Sequence, residues 1–494
     1  MNTRVELVKD SVILFKQDVA KKFTLNAEGR NYGDSFVVGC APTGGRAVNG
    51  MTAVLHSMRK QMMRWNRSTR LCMAIAAGAG SLQATEAASQ SGDQRNYAFS
   101  DGVISQEVLE NYLSRAITIE ECLHSDGYYK DTFLYPDADD DARMILNIGA
   151  KFVGRAVKQW NNPQLFNKPG WLVAAEKKIE AVHREDPTVI FQAGIFECIS
   201  KKVNVVPIPD WVFEEFGMKP EQRNFSYEAM INPDGKFWAE DVNWPPNFTV
   251  PDIAQTETQL FFFFMAKQYI DIGIEAIHWG QASKIAMVDK KNDFAAWQTV
   301  LGKVRAYALK HARRGTVLCD AHMDQATFGL KTADGHFLFD FSSFPLRVKE
   351  DLSNEGGGLL EVGHISSIYG KTPGGITPSG WSCKRIPYLV EFDIFGGARN
   401  PGVADLDSFW VWGYDEMSWF ASLDEAQRNQ WLRYAFNWLK EHDSVGYLEM
   451  PGNRMYKLKK NEIFRRFQAN LKEHCSAGTD LEVVIKELWS NDCP

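Results

Sequence analysis

The amino-acid sequence predicts an α/β protein, a (β/α)8 barrel with an N-terminal extension and a large insertion. From about residue 100 onwards, segments with helical periodicity alternate with short runs rich in β-branched and aromatic residues, which is typical of parallel α/β architecture. Eight such runs can be counted, which is the number of strands that a closed barrel needs. Polar and acidic residues recur near the carboxyl ends of these runs, where barrel enzymes carry their active sites.

The predicted strands are short, and most of them follow a segment with helical spacing. Gly149 and Gly273 end two of these helical segments and suit the left-handed conformation that terminates a helix. The connections between the fifth, sixth and seventh strands contain no clear long helix, so a mixed open sheet is the alternative architecture. The predicted strands are Ala150–Val157, Thr188–Phe196, Ile274–Gly280, Thr316–His322, His336–Phe344, Leu359–His364, Tyr388–Gly396 and Ser408–Glu416.

The chain divides into three predicted regions. Residues 1–95 form the N-terminal extension, residues 96–455 the catalytic barrel, and residues 456–494 a charged helical tail. Within the barrel, the Pro-, Trp- and Asn-rich segment 201–250 is a large insertion after the second predicted strand and a candidate rim element. The helix after the eighth predicted strand is expected to begin with Ser422 as N-cap and Glu425 as its capping-box partner.

Residues 58–88 have the parts of a secretory signal in an unusual position. A basic stretch, 58–70, precedes a weakly apolar stretch that ends in small residues. We therefore expect translation to start at a methionine between positions 58 and 63, and the mature protein to begin near Ser89 in the periplasm or outside the cell. If residues 1–57 belong to the native protein, this region is an N-terminal arm and the protein is cytoplasmic.

Charge and composition argue against several classes of partner and cofactor. The net charge of -7 gives no general attraction to nucleic acid or anionic lipid, and no apolar run is long enough to span a membrane. The eight cysteines include no Cys-x-x-Cys pair, so neither a zinc knuckle nor a disulfide scaffold is indicated. The glycine-rich dinucleotide motif, the Walker loop and the serine nucleophile elbow are absent, so the sequence predicts no cofactor.

The carboxylates and histidines at the predicted strand ends are not required by barrel packing, which uses apolar layers. Cleavage of a glycosidic bond needs one protonated and one ionised carboxyl group, and tryptophans can stack on sugar rings. The sequence therefore predicts a glycoside hydrolase that acts on a carbohydrate. The candidate catalytic residues are Glu391, Asp320, Glu416 and Glu197, and the candidate substrate-binding residues are Arg155, His278, Gln281, His322, Asp340, Asp393, Trp279, Trp381 and Trp412.

A resemblance places Glu391 first among these carboxylates. The runs IEAIHWGQ, ITPSGWSC, YLVEFD and WVWGYDE resemble a group of glycoside hydrolase-like bacterial barrel proteins of undefined activity that accompany carbohydrate-degrading systems. The acidic end of the seventh strand is similar to that of retaining barrel glycosidases, which implies that Glu391 is the nucleophile or base. Those enzymes carry Asn-Glu after their fourth strand, whereas this chain has Cys-Asp-Ala-His at 319–322. The proton donor is therefore left open among Asp320, Glu416 and Glu197.

Two other functions fit the same residues. In a metal-dependent hydrolase, mixed histidine and carboxylate ligands would hold zinc or manganese, although the first predicted strand lacks a His-x-His pair. In a non-catalytic carbohydrate-binding barrel, the aromatic residues would be needed but no pair of carboxylates would be. The candidate metal ligands are Asp320, His322, His278, His364 and Asp340.

Overall fold

The computed structural model of the 494-residue chain has two units, Met1–Gly92 and Asp93–Pro494. In the first unit, the strands Arg4–Val8, Ser11–Lys16 and Val19–Thr24 form an antiparallel sheet. The signal-like segment 58–88 lies outside the described residues, so the predicted start site stays a prediction. The structure describes residues 94–100, 102–124, 138–160, 162–168, 170–232, 248–323, 330–351, 353–354, 356–364, 367–394, 414–456 and 464–492, together with the backbone of 4–8, 11–16 and 19–24.

In the described part of the second unit, eight parallel strands follow one another around a sheet in chain order. They are β1 (Ala116–Ile119), β2 (Phe152–Lys158), β3 (Ile190–Gly194), β4 (Ala276–His278), β5 (Leu318–His322), β6 (Phe341–Pro345), β7 (Tyr388–Glu391) and β8 (Gly446–Leu448 and Met450–Tyr456). A further strand, β9 (Arg465–Gln468), pairs with β8 in the antiparallel direction.

Strand β8 closes the barrel because it pairs with a different strand on each side of Glu449. Its first part pairs with β7 through Gly446 and Tyr388, and its second part pairs with β1 through Met450 and Ile117. At the junction, the Glu449 N–H donates to the carbonyl oxygen of Val390 over 2.9 Å. The predicted (β/α)8 barrel is therefore confirmed, and the open-sheet alternative is wrong.

Six of the eight predicted strands overlap β2 to β7, and the other two do not. Leu359–His364 contributes only a two-residue pairing of Gly358–Leu359 with Lys349–Glu350, away from the barrel sheet. Of Ser408–Glu416, residues 408–413 lie outside the described residues, and Glu416 begins a helix. The true first and last strands were missed because β1 has only four residues and β8 contains the Pro-Gly pair at 451–452, which disfavours strand structure.

Ten α-helices lie within the described residues, and the longer ones cover the outside of the barrel. The run Phe261–Phe264 is buried on one of them. Gly149 and Gly273 have φ angles of 72° and 92°, which confirms their role as left-handed helix ends. The helices are α1 (Gln106–Leu113), α2 (Asp141–Ile148), α3 (Trp171–Glu185), α4 (Asp210–Glu215), α5 (Thr256–Asp271), α6 (Ala282–Ile285), α7 (Ala295–His311), α8 (Glu416–Ser422), α9 (Glu425–His442) and α10 (Leu481–Asn491).

The predicted N-cap of α9 is displaced by two residues. Ser422 ends α8, and the capping box is formed by Asp424 with Gln427. The insertion 201–250 is also displaced, since it follows the third barrel strand rather than the second. The two ends of the insertion are held together, because Ile199–Ser200 just before it pairs with Phe248–Thr249 near its end. The insertion contains α4, and its residues 233–247 lie outside the described part.

An apolar plug fills the amino-terminal end of the barrel. Helix α1 covers this end, and its Leu109 and Tyr112 are fully buried. The plug also takes the first inward-facing residues of the strands, which leaves the carboxyl-terminal end of the interior for polar side chains. The strand residues of the plug are Ala116, Phe152, Ile190, Ala276, Leu318, Phe341 and Leu389.

The segment after residue 455 packs as part of the barrel unit and is not wholly helical. Strand β9 extends the barrel sheet, and α10 packs against α2. The buried carboxylate of Glu482 on α10 accepts hydrogen bonds from Arg143 over 2.7 and 2.8 Å and from the Leu471 N–H over 3.0 Å. Within the described residues, no helix has both the length and the apolar character needed to cross a membrane.

Replacing Glu482 with alanine should destabilise the protein, because Arg143 and the Leu471 N–H would lose a buried acceptor. We expect the free energy of unfolding to fall by about 3 kcal/mol, measured by chemical denaturation. The control is Glu487→Ala on the same helix, which removes an exposed ion pair with Arg433 and should change stability by about 0.5 kcal/mol or less. If Glu482→Ala lowered the free energy of unfolding as little as Glu487→Ala, the contacts of Glu482 would not stabilise the barrel.

Candidate active site

The carboxyl-terminal half of the barrel interior contains a cluster of buried polar side chains. Neighbouring parallel strands present in-register residues to the same side of the sheet, and Asp320 on β5 is paired in this way with His278 on β4. The cluster draws one or two residues from each of the eight strands, all of them buried except His322, which is half-buried: Thr118, Arg155, Gln192, His278, Asp320, His322, Ser343, Glu391, Glu449 and Arg454.

Glu391, at the end of β7, lies at the centre of this cluster and is 1% exposed. Its Oε1 accepts hydrogen bonds from Arg155 and, over 2.5 Å, from His322 Nε2. Its Oε2 accepts from Arg454 Nη1 over 2.8 Å. Burial alone would raise the pKa of this carboxyl group, but the two guanidinium groups and the His322 hydrogen bond hold the pKa well below its ordinary value. Glu391 is therefore ionised at neutral pH.

Arg155 reaches Glu391 through an irregularity in β2. Its φ of 55° is in the left-handed region, and the pairing of β2 with β3 shifts register between Val153 and Val157. Strand residues normally alternate between the two faces, and Gly154 already faces the interior. The irregularity turns the next side chain inward as well, as β-bulges near active sites often do.

His278 and Asp320 form a buried dyad next to His322. Asp320 accepts hydrogen bonds from His278 Nδ1 over 2.8 Å, Ser343 Oγ over 2.7 Å and Gln192 Nε2 over 2.8 Å. Burial lowers the pKa of His278, so the imidazole is neutral, and the hydrogen bond to Asp320 places its proton on Nδ1. Its Nε2 is buried and has no hydrogen-bond partner among the described residues, which leaves a lone pair for a ligand.

Glu449, at the break in β8, is a second carboxyl group in the cluster and is 5% exposed. Burial raises its pKa to about 7, and the negative charge of Glu391 acts in the same direction. Its Oε1 lies over Gly154, where a Cβ atom would be only 1.9 Å away. The glycine therefore makes room for this carboxyl group.

Ion pairs behind the cluster hold Arg454 in place. Its guanidinium group also lies 3.3 Å from Asp393 and 4.0 Å from Glu120. Glu120 in turn forms an ion pair with Lys158, and both side chains are buried. These contacts balance the positive charge of Arg454, which would be costly to bury alone.

Most of the polar residues that the sequence singles out lie at this end of the barrel. Asp393 contacts the cluster through Arg454. Glu197 lies beside it and accepts hydrogen bonds from the Gln281 N–H over 3.0 Å and from Gln281 Nε2 over 3.1 Å. Those that the structure brings directly together are Glu391, Asp320, Arg155, His278 and His322.

Three of the predicted substrate-binding residues lie elsewhere. Trp279 is fully buried among the helices because it follows the inward-facing His278 and so faces outward. Asp340 precedes β6 and also faces outward, where it accepts from the Cys319 N–H over 2.8 Å. Trp381 packs against the plug at the opposite end of the barrel. A fourth residue, Trp412, lies outside the described residues.

The ligand set expected for a metal-dependent hydrolase is not assembled. Asp340 faces the helix layer, and His364 lies in the loop after β6 beside Glu361. Within the described part of the chain, no group of three or more His, Cys, Asp or Glu side chains is placed to hold a metal ion.

Glu449 and Arg454 are the important residues that sequence reasoning missed, because β8 was assigned to the wrong segment. The run GYLEM at 446–450 contains the signal that could have revealed them. It follows a long amphipathic helix and resembles YLVEF of β7, with an acidic residue at the corresponding place.

Glu416, at the start of α8, lies in a separate buried pocket near this end of the barrel. Its two carboxyl oxygens accept from the Arg347 N–H over 2.5 Å and from the Asp393 N–H over 3.1 Å. Burial raises the pKa of Glu416 to about 8.

No family model matches the chain, and no curated protein matches it. Among solved structures, a putative alpha amylase from Salmonella typhimurium is 10% identical, with a TM-score of 0.31 over 63% of this chain and 52% of that one. A Thermus thermophilus alpha-galactosidase is 8% identical, with a TM-score of 0.28 over 50% and 47%. A Nostoc punctiforme debranching enzyme is 11% identical, with a TM-score of 0.27 over 48% and 53%. The matched part spans about half the length of each of these chains.

The raised pKa of Glu416 should make stability depend on pH. The folded state binds a proton at Glu416 up to a pH of about 8, whereas the ordinary carboxyl value is 4.5. The stabilisation that Glu416 gives the folded state is therefore complete below pH 4.5. It is lost as the pH rises from 4.5 to 8, which lowers the free energy of unfolding by at most about 1.4 kcal/mol per pH unit.

The Glu416→Gln variant tests this directly, because it removes the titration while keeping the shape of the side chain. The free energy of unfolding, measured by denaturation between pH 5 and 8, should fall less steeply in the variant than in the parent protein. Parallel curves would contradict the protonated state of Glu416.

Proposed function

We propose that the protein hydrolyses glycosidic bonds of a carbohydrate at the carboxyl-terminal end of the barrel, with Glu391 as the ionised catalytic carboxylate. The observation that carries the proposal is the contrast between the carboxyl groups at this end. Glu391 is held ionised by two arginines, while Glu449 and Glu416 have pKa values raised to about 7 and about 8. Glycoside hydrolysis uses such a combination of an ionised and a protonated carboxyl group.

Glu391 is suited to stabilise or attack an electron-deficient anomeric carbon. Arg155 and Arg454 bind different oxygens of the carboxylate, so they fix its orientation as well as its charge. Such positioning lowers the cost of reaching the transition state, because the reacting group does not have to be ordered during the reaction.

Asp320 has a positioning role in this proposal. Its carboxylate already accepts three hydrogen bonds, from His278, Ser343 and Gln192. By holding the Nδ1 proton of His278, it leaves Nε2 as an acceptor for a sugar hydroxyl group. Glu197 and Gln281 offer further hydrogen-bonding groups beside the cluster.

Replacing Glu391 with glutamine should abolish turnover, because an amide can neither attack the anomeric carbon nor act as a base. We expect kcat to fall by roughly a thousandfold or more, as when a member of a catalytic group is removed. The assay is a panel of aryl glycosides and polysaccharides, with and without EDTA. Glu487→Gln, on the exposed face of α10, is the matched control and should keep full activity.

Sugar binding by calorimetry checks that the Glu391 variant is folded, and its thermal unfolding temperature should be lower because Arg155 and Arg454 lose their shared charged partner. Full activity of that variant would remove Glu391 from the mechanism. Activity that EDTA abolishes and zinc or manganese restores would favour a metal-dependent hydrolase. Binding of sugars without turnover by the parent protein would favour a carbohydrate-binding barrel.

A further inference from the structure

We propose that Glu449 is the proton donor to the glycosidic oxygen and that it acts together with Glu391 across adjacent strands. The inference rests on the proposed glycoside hydrolase function. It assigns the donor role to a residue outside the set Asp320, Glu416 and Glu197 that the sequence suggests.

The strand pairing places Glu449 next to Glu391. The register of β7 and β8 pairs Tyr388 with Gly446 and Val390 with Leu448, and Glu391 and Glu449 are the next residues along the two chains. Paired residues on parallel strands face the same side, and neighbouring strands are about 4.8 Å apart. Adjacent positions on neighbouring strands suit a retaining glycosidase, whose two carboxyl groups are about 5 Å apart, better than an inverting one, whose carboxyl groups are about 6.5–9.5 Å apart.

One carboxyl oxygen of Glu449 is not held by another group among the described residues. Its Oε1 is buried and has no hydrogen-bond partner among the described residues, while Thr118 hydrogen-bonds the carboxyl group. A buried polar atom without a partner is uncommon in native proteins and calls for a functional reason. The carboxyl group is also protonated in part at neutral pH, since burial and the charge of Glu391 raise its pKa to about 7.

The other candidate donors are already engaged. Both oxygens of Glu197 accept hydrogen bonds from Gln281, and both oxygens of Glu416 accept from backbone N–H groups. Asp320 accepts three hydrogen bonds, from His278, Ser343 and Gln192.

With these roles, Glu391 and Glu449 hydrolyse the glycosidic bond in two steps. In the first, the Glu449 proton moves to the glycosidic oxygen, which keeps the electron pair of the breaking bond, and a Glu391 oxygen bonds to the anomeric carbon. This step removes the negative charge of Glu391, so the pKa of Glu449 falls and its carboxylate becomes a base. In the second step, water gives a proton to Glu449 and its oxygen replaces Glu391 at the anomeric carbon.

The test compares two substrates of the full-length Glu449→Gln variant that differ only in the leaving group. For an alkyl glycoside, which needs a proton donor, kcat/KM should fall by about 10²–10⁴-fold. For the 2,4-dinitrophenyl glycoside, whose leaving group needs no proton, the first step should change by less than about tenfold. The alkaline limb of the pH profile, which reports the donor, should disappear in the variant.

Two further variants separate a donor role from a structural one. Glu416→Gln removes another buried carboxyl group of raised pKa and should affect both substrates alike. Gly154→Ala places a methyl group where Glu449 Oε1 lies, so it should displace the carboxyl group and reproduce the dependence on the leaving group.

Equal losses on the two substrates in Glu449→Gln, or an unchanged alkaline limb, would overturn the assignment while leaving the proposed function intact. Loss of turnover in Glu391→Gln together with full activity in Glu449→Gln would also overturn the donor role of Glu449 and leave the proposed function intact. A parent protein without activity on any glycoside would overturn both proposals.

Discussion

The buried carboxylate of Glu391 is the interaction on which the rest of the barrel interior depends. It joins four strands, since Arg155 comes from β2, His322 from β5 and Arg454 from β8. A buried charge is tolerated only when it is paired and hydrogen-bonded, so each of these groups requires the others. The ion pairs behind Arg454 follow from the same requirement, because its positive charge is only partly balanced by one carboxylate.

This polar half of the interior is stable because the other half is apolar. The first inward residues of the strands, together with α1, form a plug that supplies hydrophobic burial without any charged group. The parallel direction of all eight strands then sends the strand ends, and the polar side chains on them, to one face. Gly154 is needed in the polar half, since any larger residue would fill the space of the Glu449 carboxyl group.

Alternation of helices and strands was sufficient to predict the barrel and six of its strands, because each helix–strand unit has its own local pattern. It was also sufficient to place Glu391, Asp320 and His278 together, since each lies near the end of a strand. It failed for Trp279 and Asp340 because the face of a side chain depends on strand register to within one residue. It failed for β8 because Pro451 and Gly452 weaken the local strand signal, while pairing on both sides supplies the stability.

The two arginines show why the full site lies beyond sequence reasoning. Regular alternation would turn Arg155 outward after the inward-facing Gly154, and Arg454 outward on β8. Each arginine lies at an irregularity: Arg155 is itself the residue with a left-handed φ in β2, and the register shift between Pro451 and Asn453 precedes Arg454 in β8. Both irregularities aim a guanidinium group at the same carboxylate. The difference between Glu391 and Glu449 thus arises from two local departures from strand geometry: the cations contact Glu391 directly, whereas burial raises the pKa of Glu449.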